Sequence, residues 1–198
     1  MQFGFRSKLS SADAVHELTD FIVKQLDNGM HTLGIFLDLA KAFDTISFPR
    51  LLKLLESMGI RGTRLKLIHN YLTERSQQVK IGDVISSEIK LPLFGVPQGS
   101  VLGPTLFLAY INPLCNLTLK CGKTVSYADD TALIFSTENK DDLLSIAQSG
   151  FDLVNMWLRN NLLTLNTEKT KYIHFCMRDT KKINICSIYA HKCFNPRN

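Results

Sequence analysis

The 198 residues are enough for a domain with a sizeable core, and 45% hydrophobic against 21% charged residues excludes a disordered or fibrous chain. No window approaches the ~18 consecutive apolar residues of a membrane span, and Met1-Gln-Phe-Gly-Phe-Arg6 lacks a signal peptide's apolar stretch, so an intracellular protein, nuclear or cytoplasmic and not secreted, is expected. The net charge of +5 is weak evidence for a nucleic-acid partner, because past residue 177 five basic residues (Arg178, Lys181, Lys182, Lys192, Arg197) face one acid, Asp179, so most of the excess belongs to the tail.

In chain order, Ser10 or Ser11 can cap a helix in which Ala14, Val15, Leu18, Phe21, Ile22 and Leu26 recur at helical spacing, with Gly29 as a natural stop. Residues 33–37 are a short apolar run, read as a buried strand ending at Asp38. A second helix is expected over 49–58, with Pro49 near its start and Gly59 past its end, and a third over 64–72 behind Thr63. Residues 77–90 alternate and turn around Gly82-Asp83, the pattern of a β-hairpin. The Gly/Pro-rich stretch 94–104 reads as a loop, followed by a helix over about 105–111. Short strands over 123–127 and 131–135 flank Asp129 and Asp130. A longer helix over 140–160 places Leu143, Ala147, Val154, Trp157 and Leu158 on its apolar side, and 171–175 is a last strand. No repeat or linker interrupts the pattern. The reading is one α+β domain over 1–177, then a divergent, irregular basic tail over 178–198.

The five cysteines contain no C-x-x-C pair and suit reduced thiols. His174, Cys176, Cys186, His191 and Cys193 cluster late in the chain, but their spacing matches no zinc finger or knuckle.

Three carboxylates raise a chemical question. Asp38 lies among Phe36, Leu37 and Leu39, where an ionised group needs a cation or hydrogen bonds to offset desolvation. Asp129 and Asp130 are adjacent acids between two apolar strands, and a tight turn would crowd their charges. A divalent cation relieves both problems, since Mg²⁺ takes a few carboxylate oxygens and completes its shell with water and phosphates. Taken alone, the Asp-Asp pair is more commonly a solvated loop tip. The loop Gly95-Val-Pro-Gln-Gly-Ser-Val-Leu-Gly-Pro104 permits close backbone approach to a ligand, yet it lacks the G-K-[ST] ending of a nucleotide-binding P-loop.

Order and company make these features specific. Gln2-Phe-Gly-Phe-Arg6, then Phe36-Leu-Asp-Leu-Ala-Lys-Ala-Phe-Asp44, then the Gly95–Pro104 loop, then Tyr127-Ala-Asp-Asp-Thr131, then Leu165-Asn-Thr-Glu-Lys-Thr170 closely resemble reverse transcriptases of non-LTR (LINE-type) retrotransposons, most like the jockey-type branch. The second to fifth correspond to that family's motifs A to D, and the resemblance covers roughly residues 2–177.

The resemblance implies a polymerase palm, a mixed or antiparallel sheet backed by helices, acting as an RNA-directed DNA polymerase. Asp38, Asp129 and Asp130 would be catalytic and, with the Leu39 carbonyl, would hold two Mg²⁺ ions, with Mn²⁺ able to substitute. Phe43 would be a steric gate against a ribose 2′-hydroxyl, Gln98 and Gly99 would pack beside nucleotide and template, and Lys169 would face the leaving pyrophosphate. Asp44 is taken as structural. An RNA template, a DNA primer and dNTPs are the implied partners, with no membrane; oligomeric state is not implied. The family's fingers precede the Gln2 stretch and its thumb follows motif D, so the chain is expected to be a fragment with both largely missing. Two readings follow: a nucleotidyltransferase, or a catalytically silent remnant that at most binds nucleic acid. Little or no polymerase activity is expected of this chain by itself. An RNA-making palm shares the two-metal logic, but Phe43 and the Tyr-Ala-Asp-Asp stretch argue against it.

Overall fold

The structure is a computed structural model that describes residues 1–73, 75–90 and 94–175. The expected tail over 178–198 and all of the late cysteine and histidine cluster except His174 lie outside the described residues.

In chain order the elements are α1 (Ser11–Asp27), β1 (His31–Leu37), α2 (Phe48–Ser57), α3 (Thr63–Leu72), β2 (Ser76–Gln77), β3 (Lys80–Ile81), β4 (Val84–Ile85) and β5 (Ile89–Lys90). They continue with α4 (Leu102–Cys115), β6 (Gly122–Tyr127), β7 (Asp130–Thr137), α5 (Lys140–Asn160) and β8 (Lys171–Phe175). Two compact units are formed: Met1–Leu39, Leu114–Trp157 and the described residues from Leu165 onward in one, Ala40–Pro113 and Leu158–Thr164 in the other.

The first unit is built on an antiparallel sheet of order β6-β7-β1-β8. β1 is central because Leu33, Ile35 and Leu37 are all buried, which suits a strand paired on both sides. On one face, α1 packs Ala14 with Phe3 and Val125, and Ile22 with Ala132 and Ile134. α1 starts where Ser10 and Asp13 form a reciprocal capping box, each satisfying an orphan donor of the first turn. On the other face Phe135 is fully buried, and its ring lies so close to Gly150 of α5 that an added Cβ would sit 2.3 Å from it.

In the second unit, Ile46, Leu51, Leu72, Phe107 and Ile111 are fully buried, and each such side chain contributes ~1.5–3 kcal/mol of burial energy. The Tyr110 hydroxyl donates to the Asn161 carbonyl at 2.5 Å. The hairpin expected over 77–90 forms as two nested pairs, β2 with β5 and β3 with β4.

Several boundaries move, three of them for a clear physical reason. β1 begins two residues before the apolar run, at His31, because Thr32 is buried against Ser136 with their hydroxyls 3.0 Å apart. α3 is capped by Gly62 with φ +60°, and Thr63 lies inside its first turn. α4 starts at Leu102, inside the stretch read as loop, and runs to Cys115 with Pro113 within it. Pro104 is tolerated there because the first turn's N–H groups have no intrahelical acceptor to lose.

Candidate active site

The β6–β7 hairpin reverses through two residues, Ala128 and Asp129, with Tyr127 paired to Asp130. Asp130 is therefore the first residue of β7, and the turn itself holds only one of the two acids. Ala128 has φ +56° and is buried, at a first turn position that glycine ordinarily takes in two-residue hairpins. Leu37 pairs with Thr131 across the β1–β7 ladder, so Asp38 leaves β1 beside the first residue of β7.

Asp38, Asp129 and Asp130 are thus gathered at one end of the sheet. Asp130 is solvent-exposed as a residue, but partial burial of its carboxyl raises the pKa above the ordinary aspartate value. The neighbouring charges of Asp129 and Asp38 push it further in the same direction. A cavity of about 310 Å³ between α1 and the sheet is lined by Ala14, Leu18, Phe36, Val125, Tyr127 and Asp130.

Among the described residues, no three His, Cys, Asp or Glu side chains are arranged around one ion. The donor set still fits Mg²⁺, which takes one or two carboxylates with waters and substrate phosphates rather than a closed protein cage. The charges of Asp129 and Asp38 beside the Asp130 carboxyl are what a bound cation would offset.

Motif D meets motif A through its backbone. Leu39 bridges Leu165, the Asn166 N–H donates to the Asp38 carbonyl at 2.8 Å, and the Asp38 N–H donates to the Thr170 hydroxyl at 3.4 Å. Thr170 in turn donates its hydroxyl to the Asn166 carbonyl at 2.8 Å. Lys169, on the same turn, places its ammonium 3.8 Å from the Asp38 carboxylate and is 73% exposed, which makes a weak, solvent-screened pair.

The remaining predicted residues belong to the second unit. Phe43 stacks on Phe107, with ring centroids 4.2 Å apart and planes 15° from parallel. The Gln98 amide donates to the Asp44 carboxylate at 2.9 Å, which gives Asp44 a concrete structural role. The Val96 N–H donates to the Phe43 carbonyl at 2.9 Å, so the glycine-rich loop is tied to the end of motif A. Gly99 is exposed with φ +75°.

Sequence reasoning missed Gln2, Asn166 and Thr170. Their roles come from partners up to 132 residues away, and no local pattern reports those.

Comparison with known proteins agrees with the expected family. Residues 1–192 match the reverse transcriptase (RNA-dependent DNA polymerase) family. The RNA-directed DNA polymerase from mobile element jockey of Drosophila melanogaster is 31% identical over 184 residues, 89% of this chain and 20% of that protein. The probable RNA-directed DNA polymerase from transposon X-element of the same organism is 28% identical over 89% of this chain and 20% of its own length. The chain spans about a fifth of the length of these curated relatives. Among solved structures, telomerase from Candida tropicalis, in complex with a fragment of telomeric RNA, superposes with a TM-score of 0.62 at 14% identity. That match covers 83% of this chain and 29% of the telomerase chain, and it shows a shared polymerase palm-like fold. With nearly all of its length matched to that family and its motifs in family order, this chain belongs to the reverse transcriptase (RNA-dependent DNA polymerase) family.

Proposed function

We propose that the chain supplies the palm of an RNA-directed DNA polymerase, in which a primer 3′-hydroxyl attacks the α-phosphate of a dNTP paired to an RNA template and pyrophosphate leaves. The observation that carries this reading is the gathering of Asp38, Asp129 and Asp130, close enough to raise the Asp130 pKa. Asp38 and Asp129, with the Leu39 carbonyl and Asp130 nearby, would hold two Mg²⁺ ions, or Mn²⁺ in their place. Bound there, the ions would ease deprotonation of the attacking hydroxyl and neutralise charge on the phosphates.

The chain's own residues would do the rest by position. Lys169 is exposed beside Asp38 and, once its weak pair opens, would give a proton to the departing pyrophosphate. Phe43 would crowd a ribose 2′-hydroxyl and so favour deoxynucleotides, its ring steadied by Phe107. Gln98 would have to leave Asp44 before its amide could meet nucleotide or template. Template and primer would be gripped mainly along their backbones, leaving base pairing to carry sequence information. The free thiols of Cys115 and Cys121 support an intracellular setting, nuclear or cytoplasmic.

The alternative reading is a palm that at most binds nucleic acid, without catalysis. Primer extension on an RNA template with dNTPs and Mg²⁺ or Mn²⁺ separates the two. Synthesis abolished by Asp129→Asn supports the polymerase. Retained template–primer binding with no extension supports the silent palm.

A further inference from the structure

We infer that Gln2 is a positioning residue for the aspartate turn, a role that rests on the proposed metal site and extends it to a residue 126 positions away in sequence. The Gln2 backbone forms a parallel bridge with Ser126 of β6, held by the Ser126 N–H to the Met1 carbonyl at 2.9 Å and the Phe3 N–H to the Ser126 carbonyl at 2.8 Å. The side chain, in a residue only 4% exposed, then reaches the hairpin turn. Its amide nitrogen donates to the Ala128 carbonyl at 3.1 Å, and its amide oxygen accepts from the Ala128 N–H at 2.9 Å and the Gly4 N–H at 2.8 Å.

One carboxamide therefore satisfies both polar backbone groups of Ala128 in a buried place, where leaving either unpaired is unfavourable. A carboxamide offers a donor and an acceptor together to a single residue. Ala128 needs such a partner because an alanine with φ +56° persists only where its surroundings fix it. Gly4 completes the clasp: a Cβ there would lie 2.2 Å from the Ala128 nitrogen, so any larger residue would push the two backbones apart.

Ala128 immediately precedes Asp129, and its dihedral angles set the direction in which that carboxylate and the next leave the turn. Gln2 touches neither carboxylate in this arrangement and acts through Ala128. A buried glutamine that merely filled space would affect the sheet as a whole; a clasp affects the turn first.

The test uses the whole chain and two readouts, amide hydrogen exchange and Mn²⁺ binding followed by electron paramagnetic resonance. Gln2→Met keeps length and removes every hydrogen bond. Gln2→Glu keeps the accepting oxygen and loses the donor to the Ala128 carbonyl. In Gln2→Met, exchange at the Ala128 amide should rise by roughly tenfold to a hundredfold more than at Leu133 in the centre of the sheet. Mn²⁺ binding should weaken by about tenfold, as when a partner of a metal-ligating residue is removed. Gln2→Glu should keep part of the Ala128 protection and, should Gln2→Met not fold, carries the comparison with Leu133 by itself. Exchange at Ala128 that merely follows Leu133 in the folded variants would overturn the proposal, as would unchanged Mn²⁺ binding once the turn has lost its protection. A wild-type chain that binds no Mn²⁺ while Ala128 responds as expected would sink the metal-site reading and leave the clasp standing.

Discussion

In the first unit the backbone around the aspartates is held from several directions: Asn166 and Thr170 bond Asp38 on both sides, and Gln2 bonds both polar groups of Ala128. Among the described residues, the one ion pair these carboxylates make is the weak contact of Asp38 with Lys169. In the second unit the motif side chains are tied to one another, Gln98 to Asp44 and Phe43 to Phe107. One region has a preset frame with its chemical groups left available. The other has its chemical groups already engaged and must re-pair to meet a ligand. That contrast separates residues that would do chemistry from those that would select what is admitted.

The sharpest challenge to the contrast is Asp129→Asn, which removes an available group and leaves the frame intact. On the proposed polymerase reading, whatever primer extension the wild type supports should fall by about a thousandfold, with unchanged thermal unfolding, since electrostatic groups at a reacting phosphate carry effects of that size. Gly4→Ala attacks the frame instead. Its added Cβ would strike the Ala128 backbone, and urea unfolding should show a loss of about 1–3 kcal/mol.

In the second unit, Phe43→Val should admit rNTPs with their discrimination reduced by roughly tenfold, measured by competing rNTP and dNTP incorporation. It also removes the stack on Phe107, so a loss of about 1 kcal/mol beyond burial should accompany it in the unfolding curve. An unchanged rNTP preference would move Phe43 from selector to plain core residue.

The smallest effect is a pH dependence at Asp130. Its folded carboxyl has a raised pKa, so this group's contribution to stability is full below the unfolded value and is lost as pH rises through the folded one. Asp130→Asn should therefore unfold later than wild type at neutral pH, by a few tenths of a kcal/mol after solvent screening, and lose that advantage in acid. Added Mg²⁺ should narrow the gap by stabilising the wild type alone.

Much of this was legible in the sequence where local rules govern. α5 and β8 lie where apolar periodicity puts them, and Ser10, one of the two serines expected at the start of α1, caps it. The start of α4 was hidden because its first turn contains Gly103 and Pro104, residues that signal a loop except at a helix start. The three acids were legible as motif members. The crowding of Asp129 with Asp130 followed from their adjacency, but the approach of Asp38 depends on β1 lying beside β7 in a register that brings Leu37 opposite Thr131. The clasp was the least legible feature, because Gln2 stands in a stretch whose composition says nothing about a turn far along the chain.

The sheet order β6-β7-β1-β8 also has a consequence for how the chain is made. β1 lies in the middle, and both its neighbours come late: Leu33 pairs with Phe135 on one side and His174 on the other. At a synthesis rate of ~5–20 residues per second, this apolar strand would leave the ribosome roughly ten seconds before either partner exists. Throughout that interval both of its edges would be open to pairing with other chains. Placing this central strand early makes the nascent chain's exposure to chaperones a property of its topology, with closure arriving only when β7 and then β8 emerge.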